Sequence, residues 1–210
     1  RYLGTGRWLD GKKDRWRYRW NADGSLAKVV RPDKREVEFT YDALGRRLSK
    51  SFGTTMTRWV WNGNVPLHQW KQHREYSVME DRWNTDTERR DMTVWLFDEE
   101  SFVPVAMIKE GRSYSILTDQ LGTPTEAYDT EGNEVWSRVL DMDGNVIEET
   151  GNKEMVPFLF QGQYYDRETG LAYNRFRYYS PKMGMYVSQD PITIYGGLRF
   201  YGYVKNPNSW

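Results

Sequence analysis

A short turn template recurs along this chain and constrains its fold more than any other feature. Each copy has an aromatic or large apolar residue, then Asp or Asn, two variable residues and Gly. Asp and Asn side chains open turns by accepting bonds from nearby backbone N–H groups, and Gly then takes a positive-φ position. The template therefore predicts one β-hairpin per copy. Clear copies span residues 20–24, 41–45, 128–132 and 140–144, with degenerate copies at 61–63 and at Tyr165-Asp166 followed by Gly170.

The spacing of these copies predicts how the hairpins assemble. The copies that begin at Trp20 and Tyr41 lie 21 residues apart, and a fixed period in this range indicates a repeat architecture. Segments such as 36–41 and 92–97 alternate polar and apolar residues, as strands do. One hairpin is at best marginally stable in water, so neighbouring hairpins must join side by side. We expect an all-β fold of successive antiparallel hairpins, part of a spiral or open sheet rather than a closed two-sheet sandwich, with little or no helix.

Composition agrees with an all-β chain and excludes several kinds of function. Alanine, the best helix former, occurs 6 times, against 10 Trp, 15 Tyr and 18 Gly. No cysteine is present, which excludes a disulfide framework and thiol chemistry, and the two histidines are too few for a histidine-based metal site. We expect no cofactor. The net charge of zero argues against a main role on nucleic acid or a membrane surface. No apolar run approaches the roughly 20 residues of a membrane helix.

Two stretches depart from the repeating pattern. Residues 71–91, and above all the highly charged run 81–91, lack an apolar stripe, and we expect an exposed loop between strands there. Residues 148–154 form a second polar break, after which aromatic residues become denser. The sequence therefore predicts two units, residues 1–147 and residues 155–210.

Three stretches of sequence carry a resemblance to a known family. Residues 41–48, Tyr-Asp-Ala-Leu-Gly-Arg-Arg-Leu, resemble the tyrosine–aspartate (YD) repeat of bacterial Rhs proteins. Residues 119–124, Asp-Gln-Leu-Gly-Thr-Pro, resemble a second signature of these proteins. The ordered series from 157 to 208 is similar to the Rhs-associated core segment and is the most specific match. It includes Gln161-Gly162-Gln163-Tyr164-Tyr165-Asp166, Glu168-Thr169-Gly170-Leu171, Tyr173-Asn174-Arg175-Phe176-Arg177-Tyr178-Tyr179, Ser188-Gln189-Asp190-Pro191 and Tyr203-Val204-Lys205-Asn206-Pro207.

The resemblance implies a fold and a set of partners. Proteins of this kind wind a long β-sheet into a hollow shell around a C-terminal toxin domain, and related shells occur in the C component of Tc toxins and in teneurins. Residues 1–147 would be a YD-repeat segment of the wall, and residues 155–210 the core segment that closes it. The implied partners are the rest of the Rhs shell, the toxin domain as cargo, and secretion-spike or delivery proteins that act through an N-terminal part. The implied location is the bacterial cytoplasm before delivery, then secretion or injection into a target cell, as for type VI effectors.

The resemblance also implies self-cleavage at an aspartate-based site. Arg177 and Asp190 match the core-segment motifs that contribute to it, and a second aspartate belongs to an Asp-Pro-x-Gly motif expected just after this chain. Two nearby carboxyl groups do not both ionise easily, so one acts as the acid while the other activates water, and a guanidinium biases which one holds the charge. Other uses stay open: Asp190 before Pro191 also opens turns, Arg177 can stack on a ring, and Asp166 is either structural or the second carboxylate.

A function of another class remains open beside the shell. Exposed Trp and Tyr side chains on a twisted sheet could bind cell-surface polysaccharide, which would need two or three coplanar rings in one groove. A hydrolase acting on external substrates fits poorly, because no nucleophile–base pair is visible in the sequence. We expect structural roles for the turn residues Asp42, Asp129 and Asp141 and for the turn at 121–124, and ordinary sheet or surface positions for His68 and His73.

Overall fold

The computed structural model of this chain describes residues 15–188, which form two antiparallel β-sheets. Asp190 and the other predicted core-segment residues beyond 188 lie outside the described residues. The large sheet has 13 strands: β1 (Arg17–Trp20), β2 (Leu26–Val30), β3 (Glu36–Tyr41), β4 (Arg47–Phe52), β5 (Thr55–Asn62), β6 (Val65–Ser77), β7 (Arg82–Thr85), β8 (Arg90–Phe97), β9 (Pro104–Lys109), β10 (Arg112–Thr118), β11 (Pro124–Tyr128), β12 (Glu134–Leu140) and β13 (Val146–Gly151). The small sheet has β14 (Tyr164–Asp166), β15 (Leu171–Asn174), β16 (Arg177–Ser180) and β17 (Met185–Tyr186), with a 3₁₀ turn at Pro181–Met183.

The large sheet is a meander in which neighbours in sequence are neighbours in space. The strand order runs from β1 to β6 and from β8 to β13, and among the described strands β7 pairs with β6 alone. Within residues 15–188, β1 and β13 each pair on one side, so the sheet is open at both ends. The all-β prediction and the prediction of an open sheet of successive hairpins are confirmed.

The turn template folds as its residue types predict. In the turn between β3 and β4, Asp42 Oδ1 accepts hydrogen bonds from the backbone N–H groups of Leu44 (2.9 Å) and Arg46 (2.8 Å). Gly45, at φ 74°, donates its N–H to the Asp42 carbonyl oxygen. The turns that open at Asp119, Asp129 and Asp141 repeat these bonds. The structural roles expected of these aspartates and of the turn at 121–124 are therefore confirmed.

The small sheet covers one face of the large sheet, and the core lies between them. Trp59 of β5 meets Tyr164 of β14 edge to face, with ring centroids 5.3 Å apart, and Trp95 of β8 meets Phe158 in the same way at 4.7 Å. Edge-to-face contacts are favoured geometries for aromatic pairs. We call this side of the large sheet the covered face. Its buried side chains include Leu26, Val29, Val37, Phe39, Trp59, Trp95, Met107, Ile116, Ala127 and Trp136.

The loop predicted for residues 71–91 is wrong in its main part. Strand β6 runs on to Ser77 and β7 returns along it, with Tyr76 opposite Trp83. The two rings lie 5.5 Å apart and the guanidinium of Arg74 stands 4.2 Å from the Trp83 ring. This hairpin projects beyond the core, so its strands pair without an apolar stripe. Its charged sequence therefore did not predict strands.

The end of the large sheet falls within the second polar break. Strand β13 runs to Gly151, and β14 of the small sheet begins at Tyr164. The polar residues 148–151 are thus the outer strand of the large sheet, and 152–163 lead across to the small sheet. The division into units at 147 and 155 stays a prediction.

Neither a membrane helix nor a metal site is found in the described part of the chain. No helix among residues 15–188 is long and apolar enough to cross a bilayer. Within the same residues, no group of three or more His, Asp or Glu side chains could hold a metal ion. His68 and His73 lie on β6 as ordinary strand residues.

Candidate functional site

Two cations of β4 lie on the covered face because the strand contains a β-bulge. Tyr41 pairs with Arg47, but Thr40 pairs with Ser49, so Leu48 is the extra residue of the bulge. The bulge puts Arg47 and Lys50 on the same side although they are three residues apart. Both are buried, with relative exposures of 1% and 7%.

Asp166 of the small sheet neutralises these cations. Its side chain is fully buried. Its Oδ2 lies 2.5 Å from Nη1 of Arg47 and its Oδ1 lies 3.0 Å from Nζ of Lys50. Lys50 Nζ also lies 2.8 Å from Oε2 of the partly exposed Glu168. We call Arg47, Lys50, Asp166 and Glu168 the buried charge cluster, and it joins the two sheets.

The carboxylates keep the cations of this cluster charged. Burial alone would lower the pKa of Lys50, but the charges of Asp166 and Glu168 outweigh it and raise that pKa above its ordinary value. Burial is likewise opposed at Arg47, whose pKa is raised mainly by the charge of Asp166. The Arg47 guanidinium also lies 4.4 Å from the Trp59 ring and 4.6 Å from the Tyr173 ring, where cation–π attraction adds to the pairing.

A layer of tyrosine hydroxyls surrounds the buried charge cluster. Tyr173 Oη accepts a bond from the Arg47 backbone N–H (3.0 Å) and donates to the Gly45 carbonyl oxygen (3.2 Å). The hydroxyls of Tyr178 and Tyr41 lie 2.9 Å apart. Tyr164 donates to Gln69 Oε1 at 2.9 Å, and burial raises the pKa of Tyr164 to about 12. These hydroxyls stay protonated near neutral pH and tie the small sheet to β3, β4 and β6.

The geometry gives Asp166 a structural role. In the clear turn copies the aspartate carboxylate binds the backbone of its own turn, but here it reaches across to Arg47 and Lys50. Both of its oxygens are bonded to cations, Oδ2 to Arg47 and Oδ1 to Lys50. Asp166 therefore serves as an ionic link between the sheets.

Arg177 lies beside the chain segment that leads towards Asp190. It begins β16, which pairs with β17, and the Val187 N–H continues this pairing by donating to the Tyr178 carbonyl oxygen at 2.8 Å. The Arg177 guanidinium stands 3.6 Å from the centre of the Tyr186 ring. The ring stacking considered from the sequence is thus present. Stacking uses the face of a guanidinium, whereas a carboxylate binds its N–H edge, so the two uses are compatible.

Arg47 and Lys50 have no place among the candidate residues drawn from the sequence, although a signal for Arg47 exists. At several other turns, the residue paired at the bulge on the second strand is apolar and buried. Arg47 is a cation at the corresponding position, and a cation in an apolar series indicates a buried partner of opposite charge. The apolar residues of that series are Leu26, Pro66, Pro104 and Pro124.

Two exposed aromatic side chains, Tyr76 and Trp83, contact each other, but they do not form the flat platform that a glycan site needs. Tyr76 and Trp83 are each 42% exposed. Their ring planes stand at 63° to each other. One sugar face cannot stack on both rings at this angle, so this pair gives the polysaccharide alternative no support.

A family model and several known proteins match most of this chain. Residues 8–203 match the model of the teneurin YD-shell family. The probable deoxyribonuclease RhsB of Dickeya dadantii (strain 3937) is 33% identical over 205 residues, which are 92% of this chain and 13% of that protein. The double-stranded DNA deaminase toxin A of Burkholderia cenocepacia (strain H111) is 30% identical over 223 residues, 95% of this chain and 15% of that protein. This chain thus spans about a seventh of these relatives.

A solved structure shows the same fold. The structure of the Photorhabdus luminescens Tc holotoxin pore matches 93% of this chain and 10% of the matched chain, with a TM-score of 0.69 and 19% sequence identity. At this identity the likeness concerns the fold of the wall and carries no residue roles.

Proposed function

We propose that this chain, which belongs to the teneurin YD-shell family, is a wall segment of a bacterial Rhs shell. The shell would enclose a C-terminal toxin domain. The observation that carries the proposal is the strand order of the large sheet. Each hairpin pairs with the next in sequence, so the sheet can lengthen by adding hairpins without any crossover. A single hairpin is at best marginally stable in water, and an unpaired strand edge favours pairing with another strand. Such a sheet therefore suits a wall that continues beyond this segment.

The position of the small sheet supports an assignment of the face of the wall that points into the shell. Among residues 15–188, the small sheet and the core lie on the covered face, and we assign this side to the interior of the shell. Several relatives carry toxin names, among them the deaminase toxin of Burkholderia cenocepacia. These names support a toxin domain as the cargo. We propose in addition that, after a cytoplasmic stage, secretion-spike or other delivery proteins carry it out of the producing bacterium.

Protease protection in the full-length parent protein tests the enclosure. The toxin domain should resist trypsin while the shell is intact and be digested at its ordinary rate when expressed without the shell. Equal digestion rates for the enclosed and isolated domain would contradict the proposal.

We further propose that Asp190 and Arg177 contribute to aspartate-dependent release of the toxin domain. One carboxyl group would take a proton from water while the water oxygen attacks the scissile carbonyl carbon. The other would give its proton to the leaving nitrogen as the C–N bond breaks. Arg177 would hold one carboxyl group ionised through its N–H edge. Its position beside the segment leading to Asp190 supports this role.

Cleavage of the full-length parent tests these roles separately. Asp190→Asn should block release of the C-terminal piece, whereas Asp129→Asn, in a turn of the large sheet, should leave cleavage unchanged. Arg177→Lys should shift the pH profile of cleavage without an equal loss of thermal stability, since Lys keeps the charge but not the fork of donors. Normal cleavage in Asp190→Asn would refute the assignment.

A further inference from the structure

A cavity of about 260 Å³ opens at the turn end of the two sheets. Its wall comes from the turn between β5 and β6, the loop between β8 and β9, the start of β14 and the turn between β15 and β16. Phe158 and Tyr173 of the buried core form its inner part. Phe102 and Phe176 also line it and are 41% and 58% exposed, so the cavity reaches the surface. We call it the Gln163 cavity, after a buried residue of its wall.

Gln163 is one of the residues that line this cavity, and its buried amide has no hydrogen-bond partner among residues 15–188. Its relative exposure is 0%, and neither Oε1 nor Nε2 makes a hydrogen bond within the described part of the chain. Its backbone is satisfied, because its N–H donates to the Phe160 carbonyl oxygen (3.0 Å) and its carbonyl oxygen accepts from Leu159 (3.2 Å). Buried polar groups nearly always have partners. The free amide therefore calls for an occupant that both donates and accepts a hydrogen bond.

A second unpaired donor lines the same cavity. Arg175, in the turn between β15 and β16 at φ 55°, has its Nη1 buried with no hydrogen-bond partner among residues 15–188. A carbonyl oxygen would satisfy it. A polypeptide backbone offers the N–H and C=O that Gln163 requires and a further carbonyl for Arg175.

The size and lining of the cavity indicate which kind of side chain would enter it together with that backbone. Sites for drug-sized molecules measure about 300–1,000 Å³, so this cavity suits one large side chain better than a separate small molecule. Trp61 and Phe97 add further rings to its wall. Aromatic walls favour a bulky apolar, above all aromatic, side chain.

We propose that the Gln163 cavity anchors the enclosed toxin polypeptide by holding one of its bulky apolar side chains while Gln163 pairs with the adjacent backbone amide. The proposal rests on the function proposed above, because it assigns the covered face to the interior of the shell. The cavity belongs to the core layer on that face, where the cargo is the polypeptide to be held.

Site-specific photo-crosslinking in the full-length parent tests this anchor. A benzoylphenylalanine in place of Phe176, at the rim of the cavity, should crosslink on illumination to the toxin domain at or beside a large apolar residue. The same probe in place of Leu117, on the opposite face of β10 from the buried Ile116, should not reach the toxin domain. Crosslinks from position 176 to other shell segments or to residues 189–210, or no crosslink at all, would overturn the proposal.

Gln163→Met separates binding from folding. Met keeps the length and shape of the side chain but removes both hydrogen bonds, so the crosslink yield to the toxin domain should fall about tenfold. Thermal stability should not fall, because two unpaired buried polar atoms disappear with the amide. An unchanged yield would refute the role of Gln163. Protease protection distinguishes the two proposals: a protected toxin domain without the crosslink refutes only the anchor, whereas an unprotected domain refutes the shell.

Discussion

Ionic links hold the two sheets together at the residue scale. Asp166 and the cations Arg47 and Lys50 are removed from water, and there they form two ion pairs with each other. Breaking a buried ion pair by removing one partner strands the remaining charge, which is far more destabilising than losing a surface pair. The buried charge cluster is therefore the most sensitive point of the joint between the sheets.

Asp166→Asn tests this sensitivity. The amide keeps the shape of the side chain but leaves Arg47 and Lys50 without their shared counter-charge, so we expect the free energy of unfolding to fall by about 3–5 kcal/mol. Glu168→Gln is the matched control: Glu168 is partly exposed and Lys50 would retain Asp166, so the loss should stay below about 1 kcal/mol. Urea unfolding followed by tryptophan fluorescence measures both. Equal small losses would show that the cluster contributes little.

The turn aspartates make stability depend on acid pH. Hydrogen bonds from the Asn133 side chain and backbone lower the pKa of Asp129, so its folded-state pKa lies below its unfolded value. Such a group stabilises the fold above its unfolded pKa and loses that contribution as the pH falls through the folded pKa. The melting temperature should fall below about pH 4, the ordinary range of carboxyl groups.

Asp129→Asn isolates the part of this acid sensitivity that comes from one turn. Asn can still accept the backbone bonds of the turn but has no proton to gain. Melting curves between pH 7 and pH 2.5 should therefore show a smaller loss in the variant than in the parent chain. An identical loss would place the acid sensitivity elsewhere.

The hairpin closed by a β-bulge is the repeating unit at the scale of the element. The bulge follows from the turn: one extra residue lets the aromatic before the turn and the first residue after it face the same side. Gly151 ends the last strand of the large sheet, at φ 69°. A Cβ there would overlap the backbone carbonyl oxygen of Val135 on β12. Pairing at this edge therefore requires glycine for space as well as for backbone conformation.

Gly151→Ala and Gly132→Ala distinguish these two requirements. Gly132 lies in an open turn at φ 83° with nothing near its would-be Cβ, so alanine there adds only backbone strain of about 1–2 kcal/mol. Gly151→Ala adds the overlap with Val135 and should be more destabilising by a further amount of about 1–3 kcal/mol. Urea unfolding of both variants gives the comparison. Equal losses would mean that β12 and β13 separate easily.

At the scale of the whole molecule, some strands of the large sheet pack against the small sheet, whereas the end of the hairpin of β6 and β7 does not. Strands β3, β4 and β6 are bonded to the small sheet through the buried charge cluster and the tyrosine hydroxyls. The hairpin of β6 and β7 projects from the sheet, and β7 has one neighbouring strand. Local stability in a protein follows such differences in burial and hydrogen bonding.

Hydrogen exchange measures this layering. Amides of β4 should exchange slowest, because opening them requires the two sheets to part. Amides of β7 should exchange at least about a hundredfold faster, since they open without disturbing the core. Mass-spectrometric exchange on peptides from each strand gives the rates. Similar protection of β4 and β7 would contradict the layered account.

The sequence could predict the succession of hairpins because each turn is a local device. In the copy at residues 41–45, Asp42 bonds to backbone groups within four residues of itself and Gly45 takes its own positive φ, whatever the rest of the chain does. The same reasoning failed at residues 71–91, because the hairpin of β6 and β7 lies outside the core and carries no apolar alternation to reveal it. Strand patterns predict a strand only where one of its faces is buried.

The chain's own residue pattern thus determined an open meander of hairpins with aromatic residues at the turns. Tertiary structure alone decided that Arg47 and Lys50 meet Asp166, which lies 119 and 116 residues away from them. It also left the Gln163 amide buried without a hydrogen-bond partner in the part of the chain that the structure describes. The reason is that polar–apolar alternation predicts the faces of one strand at a time. A bulge changes which side chains of that strand lie on the same face. The fate of a buried charge or amide depends on the surface that packs against it.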